Sequence, residues 1–488
     1  MESATLTWPG IRALDASGLA KAGFALLCAI ALVGFLVYPT YPNYDSYYSM
    51  LWGREALHLH QLSFVGYRHP TEHPLAIAVG GALSLLGDGG DRVWVGLTIA
   101  SFLALAAGLY RLGRLTFGPV VGAVAVVLLM TRFNFPFLAV RGYIDIPFLA
   151  IVVWAAAWEV ERPRRGVPVF GALMAASLLR PEAWVLIGLY FLWCFPTASW
   201  RTRLLYAALT AVGPVSWAIL DAAVTGDALF SLHSTSGLAE ELGRAKGLSA
   251  VPAASKRFLL DLDKAPIMLA GLVGGALALW YAPRRAALPI VLLGSGVLTF
   301  GAVGVAGLSV IERYLLVPSV MVMIFAAVAI GGWTMLREGS RVRLAWKVVA
   351  AALVVFAIVF SALRLNPSSL ETELRFRGDA HAALTQVLRA SATHQALHCG
   401  PVSVPTHKLV PDVRWILDRG AQGVVARADP SPRVAHRIQR GVAIVVTGRD
   451  ALARQVFVDS TVDPIVNLPP AGFHRIAVSR YYAAYARC

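Results

Sequence analysis

The sequence predicts a polytopic α-helical membrane protein with about eleven transmembrane helices, interfacial helices in its first outer loop and a small C-terminal α/β domain. Three observations support this. Of the 488 residues, 57% are hydrophobic and 15% are charged, whereas soluble globular proteins average roughly 25% charged residues. Apolar runs of membrane-spanning character recur from residue 22 to residue 363. After that point the composition becomes polar.

The candidate spans are predominantly apolar, although several are shorter than the roughly 20 residues that a helix needs to cross a bilayer. They lie near residues 22–38, 93–110, 118–136, 146–160, 167–180, 183–198, 204–220, 266–282, 287–308, 312–332 and 346–363. No small-residue cleavage motif follows the first span. It is therefore predicted to be a transmembrane helix rather than a removable signal peptide.

Arginines cluster in short loops between alternate spans, and such loops stay in the cytoplasm. These residues are Arg111, Arg114, Arg162, Arg164, Arg165, Arg201, Arg203, Arg284, Arg285, Arg337, Arg341 and Arg343, followed by Lys347. The formal net charge of +15 is thus explained by membrane orientation, and no nucleic-acid-binding pattern is present. The pattern requires that residues 75–86 do not cross. At about a dozen residues, this apolar piece is predicted to be interfacial or re-entrant.

The resulting topology divides the chain into a membrane region, residues 1–363 with a first outer loop at 39–92, and an extracytoplasmic α/β domain, residues 364–488. The N-terminus is predicted to be cytoplasmic. Short strand-like runs in the second region include "PVSVP", "GVVARA" and "VAIVV". Outside the cytoplasm, Cys399 and Cys488 are able to form a disulfide, but two free thiols are equally compatible with the sequence.

Charged residues stand at the predicted outer ends of the spans. Asp45 lies in "NYDSYY" and Asp145 in "RGYIDIPF", while further charges occur in "YRHPTEHPL", "LLRPEAW" and "IERYLLVP". A carboxylate beside hydrocarbon is costly unless it is paired, solvated or functional. Helix capping is the alternative for both acids, because carboxylates are favoured at helix N-termini. Local ion pairing is the alternative for the other charges.

The turn "YRHPTEHPL" contains two residue types that bind metals, at Glu72 and His73. A closed zinc site needs more protein ligands than these two, so the sequence does not predict one. A divalent cation with an incomplete ligand set remains one interpretation. The other is a simple helix entry, because Pro74 suits the first turn of a helix.

Taken in order, these motifs resemble those of the GT-C glycosyltransferases, which include the protein O-mannosyltransferases and the lipid A aminoarabinose transferase. The resemblance rests on "NYDSYY" after the first span, "EHPL", "YIDIPF", "RPE" and the late "RYLLVP". It covers most of the membrane region but not the C-terminal domain. In "EHPL" a second proline after His73 is missing. The resemblance implies a sugar donor on a polyprenyl phosphate and an acceptor hydroxyl outside the cytoplasm.

The resemblance also implies roles for individual residues. Asp45 would be the general base, and Asp145 would orient the acceptor. Glu72 with His73 would hold either a divalent cation or the phosphate. Three arginines would neutralise the leaving polyprenyl phosphate, since planar guanidinium groups match phosphate oxygens: Arg68, Arg180 and Arg313.

Two other classes of function remain open at this stage. A membrane transporter or lipid flippase would place charges near the bilayer midplane and show repeat symmetry, whereas here the charges lie at one face and no repeat is visible. A non-catalytic membrane scaffold with a glycan-binding outer domain fits if the acids are only helix caps. The predicted partners are the lipid bilayer, a polyprenyl-phosphate sugar and a lipid, glycan or protein acceptor.

Overall fold

The computed structural model describes residues 16–364, 368–454 and 462–488. Fifteen helices form the membrane region and its loops within these ranges. In chain order they are α1 (Ala16–Val37), α2 (Tyr44–Leu57), α3 (Pro74–Ser84), α4 (Gly90–Phe117), α5 (Pro119–Met130), α6 (Asn134–Val140), α7 (Asp145–Glu161), α8 (Val167–Leu179), α9 (Glu182–Cys194), α10 (Trp200–Thr225), α11 (Phe230–Glu241), α12 (Val251–Tyr281), α13 (Pro283–Val305), α14 (Leu316–Gly331) and α15 (Arg341–Arg364).

Each predicted span coincides with a helix, except the span 118–136, which is divided between α5 and α6. The chain is a multi-pass membrane protein by the length and apolarity of its helices. Six described helices are long and apolar enough to cross a membrane, or up to seven if the pair α5 and α6, bent by 68°, is one span. The shorter apolar helices include α3, α8 and α9. The count of about eleven crossings therefore stays a prediction.

Helix α14 forms the centre of the membrane region, and each of its residues except Ile330 is buried. Glycines on α12 allow close contact with it: a methyl group at Gly274 would collide with the carbonyl oxygen of Phe325. Small residues of this kind let membrane helices pack backbone to backbone. Helix α12 changes direction at Lys264, where φ is 63°, and Pro266 follows. The predicted boundary between outer loop and span lies at the same place.

The first outer loop forms two packed helices, α2 and α3. Helix α3 begins at Pro74, as its position in a first turn predicts. Helices α2 and α3 approach closely because a side chain at Gly53 would overlap the backbone of Gly81. Tyr47 and Tyr48 of α2 are fully buried, so α2 is covered by protein rather than by lipid headgroups.

The C-terminal domain combines a five-stranded sheet with short helices. Its elements are α16 (Ser368–Arg389), α17 (Ser391–Ala396), β1 (Val402–Val404), α18 (Val410–Ile416), β2 (Val424–Ala426), α19 (Pro432–Arg437), β3 (Gly441–Val446), α20 (Arg449–Ala453), β4 (His474–Val478) and β5 (Tyr482–Arg487). The three predicted strand-like runs are β1, β2 and β3.

The strand order is β2-β1-β3-β5-β4. Strands β1, β2 and β3 pair in parallel, whereas β5 pairs antiparallel with both β3 and β4. A disulfide joins Cys399 to Cys488, with the two Cα atoms 4.9 Å apart. The bond connects the segment after α17 to the end of β5. The sequence alone was equally compatible with a disulfide and with two free thiols at these positions.

The C-terminal domain packs directly on α2 through a buried ion pair. Arg414, which is 1% exposed, donates from Nη2 to Oε1 of Glu55 at 2.6 Å. Glu55 also accepts bonds from the backbone N–H and the hydroxyl of Ser63. Trp415 joins the apolar core of the membrane region, and His381 stacks on Tyr41 with 4.0 Å between the ring centroids. The domain is therefore a fixed part of the structure around α2.

We expect Arg414→Met to lower the free energy of unfolding by about 3 kcal/mol, because it leaves Glu55 buried without a counter-charge. The double variant Glu55→Met/Arg414→Met should recover most of that loss. Arg389→Met is the matched control, since it removes the exposed pair with Asp88 at 2.7 Å and should cost at most about 1 kcal/mol. Denaturant unfolding of the purified proteins measures all three. Equal losses for Arg414→Met and Arg389→Met would contradict the assignment.

The topology is tested by thiol labelling in intact cells. A cysteine at Asp88, whose side chain is 79% exposed, should react with an impermeant maleimide, because it lies in the predicted outer loop. A cysteine at Glu338, whose side chain is 92% exposed, lies in a predicted cytoplasmic loop. It should react only after lysis. The reverse pattern would invert the predicted orientation.

Candidate active site

A cavity of about 1110 Å³ lies between the outer loops of the membrane region and the C-terminal domain. This volume is slightly above the usual range of ligand pockets, which is roughly 300–1,000 Å³. Every predicted outer loop contributes a wall, and the polar lining residues include Asp45, Arg68, His73, Arg141, Arg180, Glu182, Asp221, Arg244, Ser309 and Arg313. The C-terminal domain adds Arg377, His407, Lys408 and Asp412.

Five charged residues form a continuous chain of ion pairs at this cavity. Nη1 of Arg313 lies 2.9 Å from Oδ2 of Asp45 and 3.4 Å from Oδ2 of Asp145. Arg180 pairs with Asp145 through Nη1 and lies 2.5 Å from Oε1 of Glu182 through Nη2. Acids and arginines therefore alternate, and each arginine joins two carboxylates. Three carboxylates against two guanidinium groups leave the chain with a formal charge of −1.

Local capping places Asp45 in this chain. Asn43 is the N-cap of α2, and its side chain accepts from the backbone N–H groups of Asp45 and Ser46. The backbone N–H of Asn43 also donates to the carbonyl of Arg141 at 2.8 Å. The hydroxyl of Ser46 donates to the carbonyl of Gly142 at 2.6 Å. The φ angle of Gly142 is 71°. These bonds hold "NYDSYY" beside "RGYID".

The capping alternative does not describe either acid. Because Asn43 fills the cap position, the carboxylate of Asp45 is directed to Arg313 instead. Asp145 begins α7, but its carboxylate is fully buried and pairs with Arg180 and Arg313. Asp45 lines the cavity with 21% of its side chain exposed, whereas Asp145 supports the arginines from behind.

Arg313 connects the buried acids with the cavity. Its two carboxylate contacts both use Nη1. Within the described part of the chain, neither Nη2 nor Nε of Arg313 makes a hydrogen bond, while 32% of the side chain is exposed. The guanidinium also lies 5.5 Å from the ring centre of Tyr143. The remaining N–H donors of Arg313 are thus available to an anionic ligand.

Comparison with solved structures identifies the architecture. The crystal structure of ArnT from Cupriavidus metallidurans bound to undecaprenyl phosphate superposes with a TM-score of 0.55 at 13% identity, over 96% of this chain and 98% of that one. The apo form of the same ArnT gives a TM-score of 0.52 at 15% identity, with the same coverage. The chain has the GT-C fold.

The likeness to the archaeal oligosaccharyltransferase AglB from Archaeoglobus fulgidus is looser, with a TM-score of 0.48 at 10% identity over 84% of this chain. No family model matches the sequence, and no curated protein matches it. The fold rests on the superposition with ArnT, and the sequence resemblance to GT-C enzymes is confirmed at the level of fold.

Arg68 also lines the cavity but is not part of the ion-pair chain. It has a positive φ of 55°, and its carbonyl accepts a hydrogen bond from the hydroxyl of Tyr44. Its Nη2 donates to the carbonyl of Glu241 at 3.2 Å. Arg68 therefore connects the first outer loop to α11, and its predicted phosphate role stays a prediction.

Glu72 and His73 lie side by side but in different surroundings. Glu72 is 1% exposed, and its Oε2 lies 2.9 Å from the hydroxyl of Ser231. The same hydroxyl lies 2.9 Å from Oδ1 of Asp221. Burial raises the pKa of Glu72 to about 7. Because one hydroxyl has a single proton to donate, one of the two acids must be protonated to complete both contacts.

His73 lines the cavity and packs edge-on against Trp217, with 5.5 Å between the ring centroids. Burial lowers the pKa of His73 to about 4, so the ring is neutral near pH 7. No group of three or more histidine, cysteine or acidic residues able to hold a metal ion occurs among the described residues. The residues present do not fit a closed metal site, and a cation at Glu72 and His73 stays a prediction.

Several cavity residues are absent from the sequence-based site. Glu182 lies in the quoted "RPE" turn, and Arg141 precedes Asp145 by one helical turn, so a local signal exists for both. His407 and Lys408 come from the loop after β1. They carry no local signal, because only the docking of the C-terminal domain brings them to the cavity.

Stability measurements separate the two acids of the chain. Asp145→Asn should lower the free energy of unfolding by about 3–5 kcal/mol, because it removes the carboxylate between two arginines at a fully buried position. Asp45→Asn should change it by less than about 1 kcal/mol, since Asp45 is partly solvated. Thermal unfolding of the purified variants, followed by fluorescence, reports both. Similar losses for the two variants would show that both acids are structural.

Proposed function

We propose that this protein is an inverting glycosyltransferase that moves a sugar from a polyprenyl-phosphate donor to an acceptor hydroxyl outside the cytoplasm. One observation carries the proposal: a cavity-lining carboxylate, Asp45, is held by an arginine that keeps free donors towards the same cavity. The GT-C fold supports it, since ArnT with this fold was crystallised with undecaprenyl phosphate.

Asp45 has the position of a general base. Its Oδ2 is fixed by Nη1 of Arg313 at 2.9 Å, which sets the orientation of the carboxylate. A bound acceptor hydroxyl beside Asp45 would give its proton to the carboxylate as the oxygen attacks the anomeric carbon. Asp45 itself forms no bond to the sugar in this scheme.

Arg313 has the position of a phosphate ligand. As the bond between the anomeric carbon and the phosphate oxygen breaks, negative charge accumulates on the polyprenyl phosphate. Nη2 and Nε of Arg313 supply charge-assisted donors for it. All three nitrogens of Arg180 are bonded to Asp145 or Glu182, so Arg180 fits a supporting role better than direct phosphate binding.

The predicted stereochemistry follows from using one base and no enzyme nucleophile. The acceptor oxygen attacks from the face opposite the phosphate, so a single displacement inverts the anomeric carbon. One carbon–oxygen bond forms and one breaks, the acceptor proton moves to Asp45, and polyprenyl phosphate leaves. Inversion is expected, in contrast to the double displacement of retaining enzymes.

The transporter alternative accounts less well for the same geometry. Transporters place their substrate site near the bilayer midplane, between repeats that rock around it. Here the C-terminal domain forms one wall of the cavity and is anchored on α2 through Glu55 and Arg414. A cavity with one wall built from a fixed soluble domain is better suited to holding two substrates for a reaction than to opening on both sides.

The central experiment incubates the purified protein with a panel of radiolabelled polyprenyl-phosphate sugars and a cell-envelope extract that supplies lipid, glycan and protein acceptors, with and without EDTA. Wild type should release polyprenyl phosphate from at least one donor. Asp45→Asn should lower the rate of transfer by at least about 100-fold, because a general base contributes roughly 10²–10⁴ to the rate. The EDTA arm reports whether a divalent cation takes part.

The matched control is Asp227→Asn. Asp227 is also an acid of an outer loop, paired with His233 at 2.7 Å, but it does not line the cavity. Its transfer rate should equal that of wild type. Turnover by Asp45→Asn at the wild-type rate would remove Asp45 from the catalytic role, and no release from any donor by wild type would overturn the proposed function.

A further inference from the structure

A second, smaller cavity opens at the seam between the membrane region and the C-terminal domain. It has a volume of about 560 Å³ and is lined by Phe133, Phe137, Ser369, Thr372, Glu373, Arg377 and Arg454. We call it the seam groove. Three of its residues, Phe133, Phe137 and Arg377, also line the cavity that contains Asp45. The seam groove is therefore a lateral continuation of the candidate active site.

Two helix faces form the seam groove. Phe133 and Phe137 are four residues apart at the start of α6 and stack with 5.2 Å between ring centroids. On α16, the lining positions 369, 372, 373 and 377 follow the spacing of one helix face. An aromatic floor thus faces a polar helix surface that carries hydroxyl, carboxylate and guanidinium groups.

Ion pairs fix the polar side of the seam groove. Glu373 lies 2.5 Å from Nε of Arg377 and 2.8 Å from Nη1 of Arg454. Arg377 also lies 5.5 Å from the ring centre of Phe137. These side chains keep between 20% and 39% of their surface exposed. They are held in place and still have hydrogen-bonding capacity towards the groove.

We propose that the seam groove binds a carbohydrate, and that the acceptor of this protein is a glycan. This inference deepens the proposed function. Its second part, that the bound glycan is the acceptor, rests on that function. Sugar rings carry an apolar C–H face that packs on aromatic rings such as Phe137. Their hydroxyls both donate and accept, which matches a carboxylate flanked by two guanidinium groups.

Other occupants fit these residues less well. An isoprenoid or acyl chain would remove water from Glu373, Arg377 and Arg454 without replacing their hydrogen bonds, and such desolvation is costly. A peptide strand would need an open sheet edge, but the lining residues come from helices and their ends. A polyanion would have to displace the carboxylate of Glu373 from Arg377 and Arg454, with both of which it is already paired. An uncharged polyhydroxyl ligand satisfies both charges.

Because the seam groove joins the main cavity, a glycan bound in the groove would point one of its ends towards that cavity. A chain lying in the seam groove passes Phe137 and Arg377 to reach the cavity of Asp45. Its end residue then presents a hydroxyl to the proposed base, while the preceding residues stay in the groove. The seam groove therefore selects an acceptor longer than one sugar.

The test measures binding of the full-length protein, in nanodiscs of phosphatidylcholine and phosphatidylglycerol, to an array of neutral oligosaccharides. The array contains glucose, mannose, galactose, arabinose and N-acetylhexosamine chains. Wild type should bind at least one of them. Phe137→Ala should weaken that binding at least tenfold. Thr372→Tyr, which fills the groove from an exposed position of α16, should abolish it.

Phe195→Ala is the matched control. Phe195 belongs to a similar aromatic pair, 5.5 Å from Phe191, with Arg203 4.2 Å from its ring centre, but it lies at the predicted cytoplasmic end of the span 183–198. Its glycan binding should equal that of wild type. Thermal unfolding and gel filtration show whether each variant is folded. If Phe137→Ala does not fold, Thr372→Tyr alone tests the inference.

Three results would overturn the inference. One is the absence of binding by wild type to every oligosaccharide on the array. Another is equal binding by wild type, Phe137→Ala and Thr372→Tyr. The third is weaker binding of undecaprenyl phosphate, added to the nanodiscs, by the two variants, because the groove would then take a lipid chain. The array contains no sugar donor, so its outcome is independent of whether the protein transfers sugar from polyprenyl phosphate.

Discussion

The alternating chain of acids and arginines is the interaction on which the arrangement of the helix ends around the cavity depends. Its members come from four separate segments, the starts of α2, α7, α9 and α14. A charge left alone at this depth would be strongly unfavourable. Each segment end must therefore meet the others for any of the charges to be satisfied. The result is a fixed set of helix ends around one cavity.

The same chain distributes tasks among chemically similar residues. Asp145 is fully enclosed and serves the arginines, while Asp45 reaches the cavity. Arg180 is saturated by carboxylates, while Arg313 keeps donors for a ligand. Burial and hydrogen-bond count thus distinguish an enclosed acid and a saturated arginine from the acid and the arginine that reach the cavity, although both pairs look alike in the sequence.

Local pattern in the sequence was sufficient for the helices and for much of the site. Each apolar run became a helix because burial of a backbone in lipid leaves few alternatives, and Asp45, Asp145 and the two paired arginines were predicted from the ends of those runs. The sequence did not show which residue caps the N-terminus of α2, because Asn43 and Asp45 both belong to residue types that cap helices. Strands β4 and β5 were not named among the strand-like runs. For β4 the reason is that it is only partly buried, so its alternation of apolar and polar residues is weak.

Contacts between distant parts of the chain were beyond prediction for a different reason. The bond from Arg414 to Glu55 spans 359 residues, and no periodicity or motif links such positions. The same holds for His407 and Lys408, which reach the cavity only because their domain docks on α2. These contacts depend on how the folded C-terminal domain packs on α2, and the local spacing of residues carries no signal for that packing.

The separation between Glu55 and Arg414 has a consequence for biosynthesis. The ribosome makes α2 before the C-terminal domain, and the residue that neutralises Glu55 is made 359 positions later, after all the predicted spans. Until then the acid of α2 lacks its counter-charge. The cavity therefore acquires its last wall only after the membrane region has been synthesised.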